Sequence, residues 1–241
     1  EEDGGSGELA TFEEAVRRAA PLLSVRETLG AGRGLVVEVP EGVPAGDVVL
    51  RDQPLAFLLS RTRRKTHCAM CLKHISPPHA PVSSGRGPLP ILCSLTCKKR
   101  LLATYSFEIG AAWAAVLPEE AVLAVRLAAL PARAVALWHN LDSHFSAVGA
   151  ERRVDTVVLA CVASACWQAS AGGVHLKDLA ERTAQVWRAL LVIDTNSFAV
   201  CAAVRGGRAE AWRVARGVYA VASMLNHSCR PSVCVTFEGG C

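Results

Sequence analysis

The chain has 241 residues, of which 51% are hydrophobic and 20% are charged. This composition excludes an intrinsically disordered protein, because the apolar surface is large enough to offset the entropy lost on folding. The net charge of +4 is too small to indicate a nucleic-acid binder, and aromatic residues, at 5%, are too few for stacking on single strands. Nucleic acid is therefore not an expected partner.

The N-terminal part predicts a short helix and then β structure. Residues 1–26 predict a frayed start followed by a helix from Thr11 to about Leu23. Residues 27–60 predict two β-rich runs, Leu35–Val39 after a glycine-rich turn at 30–34, and Val48–Leu59.

A polar segment over residues 61–100 contains four cysteines in two short pairs, Cys68 with Cys71 and Cys93 with Cys97. Structural zinc takes four tetrahedral sulfur ligands, and two such knuckles supply them without a large core. Prolines and glycines between the pairs cannot form a regular element, so we expect the metal to order this segment. The alternative is four free thiols in a loop.

The segment 101–191 is rich in Ala, Leu and Val and predicts three or four helices, with breaks at Pro118, at Pro131 and at Gly172-Gly173. Three further cysteines lie in apolar runs and are predicted to be small core residues. They are Cys161, Cys166 and Cys201.

After Asp194 the pattern changes to β structure. A hairpin is predicted, with strands over Ser197–Val204 and Ala209–Val214 and a turn at Gly206-Gly207. The predicted fold class is α+β, a β-rich domain interrupted by the cysteine segment and by a helical insert.

Membrane insertion and export are not expected. The longest uncharged stretch, Thr156–Leu176, becomes polar after Trp167, whereas a span needs about 20 mostly apolar residues. The chain starts without Met, a basic segment or an apolar segment, so no signal peptide is visible and a fragment or trimmed chain is expected. Together with the cysteine usage, this favours an intracellular location, in the nucleus or the cytoplasm.

The most distinctive residues form the segment from Ser223 to Ser232. Asn226 and His227 at a bend offer hydrogen-bond donors and acceptors for a polar heterocycle. An ordinary turn would also use Asn and Ser, so composition alone leaves both interpretations open.

The motif Asn226-His227-Ser228-Cys229-x-Pro231 resembles the signature of SET-domain protein-lysine methyltransferases. The turn Gly32-Arg33-Gly34 resembles the first motif of that domain, the cysteine segment resembles a MYND zinc finger, and the helical insert resembles the family's inserted helices. Together, residues 27–241 resemble the SET and MYND domain family. The resemblance implies a SET-type β-rich domain with a partial MYND finger and a helical insert, whose core SET segment is 192–241.

The resemblance implies transfer of a methyl group from S-adenosylmethionine to the lysine side chain of a protein substrate. It also implies that Cys229 shares a further zinc ion with a later cysteine cluster, whose Cys-x-Cys-x-x-Cys spacing Cys234 and Cys241 do not match. It further implies that Thr195–Phe198 borders the lysine channel. The alternative for Thr195–Phe198 is the start of an edge strand. The residues that the resemblance places around the cofactor are Gly32, Arg33, Gly34, Asp142, His144, Asn226 and His227.

Three departures from the family pattern qualify these expectations. Only one of the two zinc sites of a full MYND finger is kept, and Ala31 stands where the family often has Lys. Asp142 and His144 are equally well interpreted as a helix-end Asp and an exposed His. The family's catalytic tyrosine follows the Asn-His-Ser-Cys motif, whereas Tyr105 and Tyr219 precede it, so the chain is expected to be inactive alone. The alternative function is a non-catalytic zinc-containing interaction module on a SET scaffold.

Overall fold

In the described residues, three strands near the N-terminus and two near the C-terminus flank a run of helices and form two small antiparallel sheets, which confirms the predicted α+β class. The computed structural model describes residues 12–28, 32–75, 90–171, 175–202 and 212–237, so the predicted features at Gly172-Gly173 and Gly206-Gly207 lie outside it. Within the described residues the helices are α1 (Phe12–Ala19), α2 (Leu95–Tyr105), α3 (Trp113–Val116), α4 (Glu119–Ala128), α5 (Ala132–Trp138), α6 (Ala150–Ser170) and α7 (Leu176–Asn196). The strands are β1 (Leu23–Thr28), β2 (Gly32–Val37), β3 (Pro54–Leu59), β4 (Ser197–Ala202) and β5 (Trp212–Tyr219).

The larger sheet joins strands that are far apart in sequence. Its order is β3-β5-β4, with β5 in the centre and antiparallel to both neighbours. The predicted hairpin strands, β4 and β5, therefore do pair, although β5 extends to Tyr219. Because β3 pairs with β5, the cysteine segment and helices α2 to α7 lie, along the sequence, between two strands that pair in one sheet.

Two N-terminal predictions were wrong in their bounds. The first helix ends at Ala19, because the residue before Pro21 is sterically disfavoured in helical geometry, and Leu23 instead begins β1. The run predicted to begin at Val48 is a strand only from Pro54.

The predicted turn at Gly32-Arg33-Gly34 is instead the start of β2. Gly32 pairs with Thr28 across the small sheet and has a φ of 67°, a left-handed conformation that glycine adopts at low cost. Residues 29–31, between these two strands in sequence, lie outside the described residues.

Helix α4 occupies the centre of the core. Every residue from 121 to 128 is buried, and the helix packs against α6, α7 and β3. The predicted breaks at Pro118 and Pro131 are confirmed, because these prolines immediately precede α4 and α5. A proline there removes no intrahelical hydrogen bond, since the first N–H groups of a helix have no partner within it.

The side chain of Arg126 carries a charge into this core. It is 5% exposed, and its Nε and Nη2 atoms donate to the two carboxylate oxygens of Glu108 at 2.6 and 2.7 Å. Its Nη1 atom donates to the carbonyl oxygen of Phe57, and its guanidinium carbon lies 4.0 Å from the centre of the Tyr105 ring. One side chain of α4 thus contacts α2, β3 and the short turn after α2.

The prediction that three cysteines outside the knuckles are core residues was wrong for Cys161, which is exposed, whereas Cys166 and Cys201 are half-buried. The apolar run that contains Cys161 forms α6, and position 161 falls on its solvent side with Val158 and Val162. In the part of the chain that the structure describes, no helix combines the length and apolarity needed to cross a membrane.

We expect Arg126→Ala to lower the free energy of unfolding by about 3–5 kcal/mol, because the Glu108 carboxylate would remain in the core without its partner. The matched control is Arg152→Ala, which removes an exposed ion pair to Asp194 and should lower it by about 1 kcal/mol or less. Urea unfolding followed by circular dichroism measures both. Equal losses for the two variants would contradict the role given to Arg126.

Candidate metal centre and cofactor residues

The four clustered cysteines converge on one point. The sulfur atoms of Cys68, Cys71, Cys93 and Cys97 all lie within 4.8 Å of one another. Cys68, Cys71 and Cys97 are buried, and Cys93 is half-buried. The pairing predicted from the sequence spacing is therefore the arrangement that the fold produces.

The first knuckle is a tight turn closed by backbone hydrogen bonds. The amide of Cys68 donates to the carbonyl of Lys73 at 2.9 Å, and the amide of Leu72 donates back to the carbonyl of Cys68 at 3.0 Å. Leu72 has a φ of 61°, which is uncommon for a residue with a side chain. The turn directs Cys68 and Cys71 to the same side.

The second knuckle is the beginning of helix α2. The hydroxyl of Ser94 caps the helix by accepting a hydrogen bond from the amide of Cys97 at 3.2 Å. Cys97 therefore lies in the first helical turn, where the helix dipole favours negative charge on a ligating sulfur.

The sulfur geometry fits a tetrahedral ion. A Zn–S distance of about 2.3 Å requires sulfurs about 3.8 Å apart. The sulfur of Cys93 lies 3.4 Å from that of Cys71 and 3.6 Å from that of Cys97. Burial raises the pKa of the Cys97 thiol to about 12. A divalent cation bound to this sulfur would lower that pKa. The four cysteines could hold a metal ion such as zinc.

The expectation that a metal alone orders the segment needs correction. Around the cysteines, buried apolar side chains from the segment and from α2 pack together with two residues of the larger sheet. The cluster therefore has a small hydrophobic core that attaches it to β3 and β5. Its apolar members include Met70, Ile75, Leu92 and Leu101 from the segment and the helix, and Leu59 and Val214 from the sheet.

Three of the predicted cofactor residues, Gly32, Arg33 and Gly34, are the first residues of β2. Gly34 is buried, whereas Arg33 is exposed and its Nη2 atom donates to the carbonyl oxygen of Asn140. Strand β2 also lies beside the short 3-10 turn Ala222–Met224, which leads to Asn226. Arg33 thus reaches the segment that contains Asp142.

Asp142 and His144 form a local turn after helix α5. One carboxylate oxygen of Asp142 accepts a hydrogen bond from the amide of His144 at 2.8 Å, and the other lies 3.6 Å from the Nδ1 atom of His144. Both side chains are more than half exposed. His144 has a φ of 45°, a left-handed backbone conformation that is uncommon for a residue with a side chain. This geometry matches the helix-end interpretation of the pair and leaves both polar groups accessible to solvent.

Hydrogen bonds connect this turn to the end of α7 and to the segment before Asn226. The carbonyl oxygen of Asp142 accepts from Thr195 Oγ1 at 2.9 Å and from Asn196 Nδ2 at 2.7 Å. The carbonyl of Asn196 in turn accepts from the hydroxyl of Ser223 at 2.8 Å. These bonds connect three segments that are distant in sequence.

The Asn-His-Ser-Cys motif itself lies at the surface. Asn226, His227 and Cys229 are all exposed. The sulfur of Cys229 lies 3.5 Å from the Nε2 atom of His227, and within the described ranges Cys229 is not part of the four-cysteine cluster. The zinc role predicted for Cys229 stays a prediction.

Sequence reasoning did not predict the hydrogen bonds by which three residues hold these segments in place. Asn196 is 7% exposed, Ser223 bonds to two carbonyl groups, and Asp52 accepts hydrogen bonds from the amides of Val221 and Ala222. A lone acidic residue in the apolar run from Val48 to Leu59 was the available signal for Asp52.

Comparison of the chain with protein-family models and with curated proteins found no match in either set.

We expect the purified protein to bind about one equivalent of zinc, and Cys68→Ser to bind less than half of that, because one of four ligands is removed. The matched control is Cys161→Ser, an exposed cysteine outside the cluster, which should keep the full content. Elemental analysis measures the metal, and cobalt substitution tests for the absorption of a tetrahedral thiolate site. Unchanged metal content in Cys68→Ser would refute the assignment.

Proposed function

We propose that the chain is the zinc-containing, cofactor-binding part of a protein-lysine methyltransferase of the SET and MYND type. The observation that supports this proposal is the set of hydrogen bonds that connects Asp142, Asn196 and Ser223. Together with the bond from Arg33 to Asn140, it links every segment that the resemblance assigns to S-adenosylmethionine. Such convergence is not expected of unrelated surface turns.

In this proposal the exposed polar groups bind and orient the cofactor. The carboxylate of Asp142 suits a ribose hydroxyl or an ammonium group, the imidazole of His144 suits a carboxylate or the ribose, and Asn226 and His227 supply donors and acceptors for the adenine. When bound, S-adenosylmethionine supplies a methyl group activated by a sulfonium. The residues of this chain contribute positioning, which can account for about 7–11 kcal/mol of a barrier.

The four-cysteine cluster has a structural role in the proposal. The metal, proposed to be zinc, would fix the orientation of α2, whose C-terminal Tyr105 contacts Arg126 at the core. Loss of the metal is expected to affect the packing of the cysteine segment against the sheet before it affects the cofactor residues.

One observation favours the alternative, a non-catalytic interaction module. Arg33, Asp142, His144, Asn226 and His227 are all exposed in the structure. Exposed polar side chains that are held on an ordered scaffold also suit contact with another protein. Cofactor binding discriminates between the two functions, because the interaction module does not require it.

We expect the protein to bind S-adenosylmethionine in isothermal titration calorimetry and His227→Ala to weaken this binding at least about tenfold, or about 1.4 kcal/mol, because a polar contact to the cofactor is lost. The matched control is His175→Ala, an exposed histidine at the start of α7, which should bind like the wild type. Absence of binding by the wild type would refute the proposal and favour the interaction module.

A further inference from the structure

Asp52 lies just before β3 and contacts a turn 169 residues further along the chain. Its Oδ2 atom accepts hydrogen bonds from the amides of Val221 and Ala222 at 2.8 and 2.9 Å, and its carboxylate also accepts from the amide of Gln53. The first two amides begin the 3-10 turn Ala222–Met224, where the turn itself provides no acceptors. Asp52 therefore acts as the cap of a turn that belongs to another part of the sequence.

The carboxylate occupies a place where a charge is costly. Burial raises the pKa of Asp52, even though hydrogen bonds from three backbone amides lower it. Burial and, to a smaller extent, the negative charge of Asp52 raise the pKa of Tyr219 to about 12. The partial loss of hydration thus raises the pKa of Asp52 by more than its hydrogen bonds lower it. The three backbone hydrogen bonds nevertheless fix the position of this carboxylate.

The turn that Asp52 holds leads directly to the exposed motif. Val221 and Met224 are buried, and Ser223 bonds to the carbonyl oxygens of Tyr219 and Asn196, so the turn has a defined position. The chain leaves it at Leu225, and Asn226 is the next residue. The hydrogen bonds of Asp52 thus lie five residues before Asn226 in the sequence, on the turn from which the motif leaves the core.

We propose that Asp52 is a positioning residue, whose carboxylate fixes the turn at Val221 and Ala222 and thereby sets the place of Asn226 and His227 at the cofactor site. The effect on the cofactor site rests on the proposed function. The positioning of the turn by Asp52 rests on the hydrogen bonds alone. Asp52 does not contact the cofactor in this proposal.

The test compares Asp52→Asn with Asp47→Asn, an exposed aspartate in the same loop that serves as the matched control. Asparagine preserves the shape of the side chain but removes its charge, so its hydrogen bonds to the amides are weaker. We expect Asp52→Asn to weaken binding of S-adenosylmethionine about tenfold in calorimetry and Asp47→Asn to leave it unchanged. Wild-type affinity in Asp52→Asn would overturn the inference.

Amide chemical shifts in two-dimensional NMR spectra provide a measurement that needs no cofactor. In Asp52→Asn we expect shifts at Val221 and Ala222 that extend to Asn226 and His227. Perturbation that ends before Asn226 would overturn the inference, because a purely local structural role moves only the turn. If the wild type binds no S-adenosylmethionine, the proposed function fails, and this spectral comparison still decides the positioning role.

A third measurement uses the wild type and so does not depend on the folding of a variant. The amides of Val221 and Ala222 should exchange with solvent more slowly than the amides of the exposed motif, since the carboxylate holds them in hydrogen bonds. Exchange at the rate of an unstructured chain would overturn the inference.

Discussion

The buried ion pair between Arg126 and Glu108 is the interaction on which the arrangement of the fold depends. Two charges in a core are costly unless their hydrogen bonds are well formed, and here both carboxylate oxygens and a backbone carbonyl accept from one guanidinium. The pair joins α4, β3 and the turn after α2, and Arg126 also contacts Tyr105 of the helix that carries Cys97, so it connects the core to the cysteine cluster.

Local chemistry explains which parts of the fold were predictable. Pro118 and Pro131 bound helices because of the backbone of proline itself, and the two cysteine pairs are recognisable because tetrahedral sulfur ligation needs short spacings. Strand β1 was missed because its apolar residues are few, and its place depends on pairing with β2. The burial of Arg126 could not be predicted, since a charged residue in a helical pattern normally indicates the solvent face.

The candidate site was predictable only in part, because its side chains are held by backbone groups that a sequence does not distinguish. A resemblance identified side chains such as Arg33 and Asn226, but their placement depends on backbone groups. Arg33 donates to the carbonyl of Asn140, and Asn196 donates to the carbonyl of Asp142. Every residue has a carbonyl, so a sequence carries no signal for which one is used. Asp52 illustrates the same limit, because its partners are two amides that only the folded chain brings near.

The pairing of β3 with β5 has a consequence for how the protein is made. Residues 60–211 are synthesised after β3 and before its partner, and at about 5–20 residues per second this interval is on the order of ten seconds. During that time the apolar strand Pro54–Leu59 has an unsatisfied edge, while α2 to α7 are able to form and pack among themselves. Until β5 emerges, this unpaired strand is able to pair with other strands. The emergence of β5 from the ribosome thus determines when the backbone groups of β3 can form their hydrogen bonds.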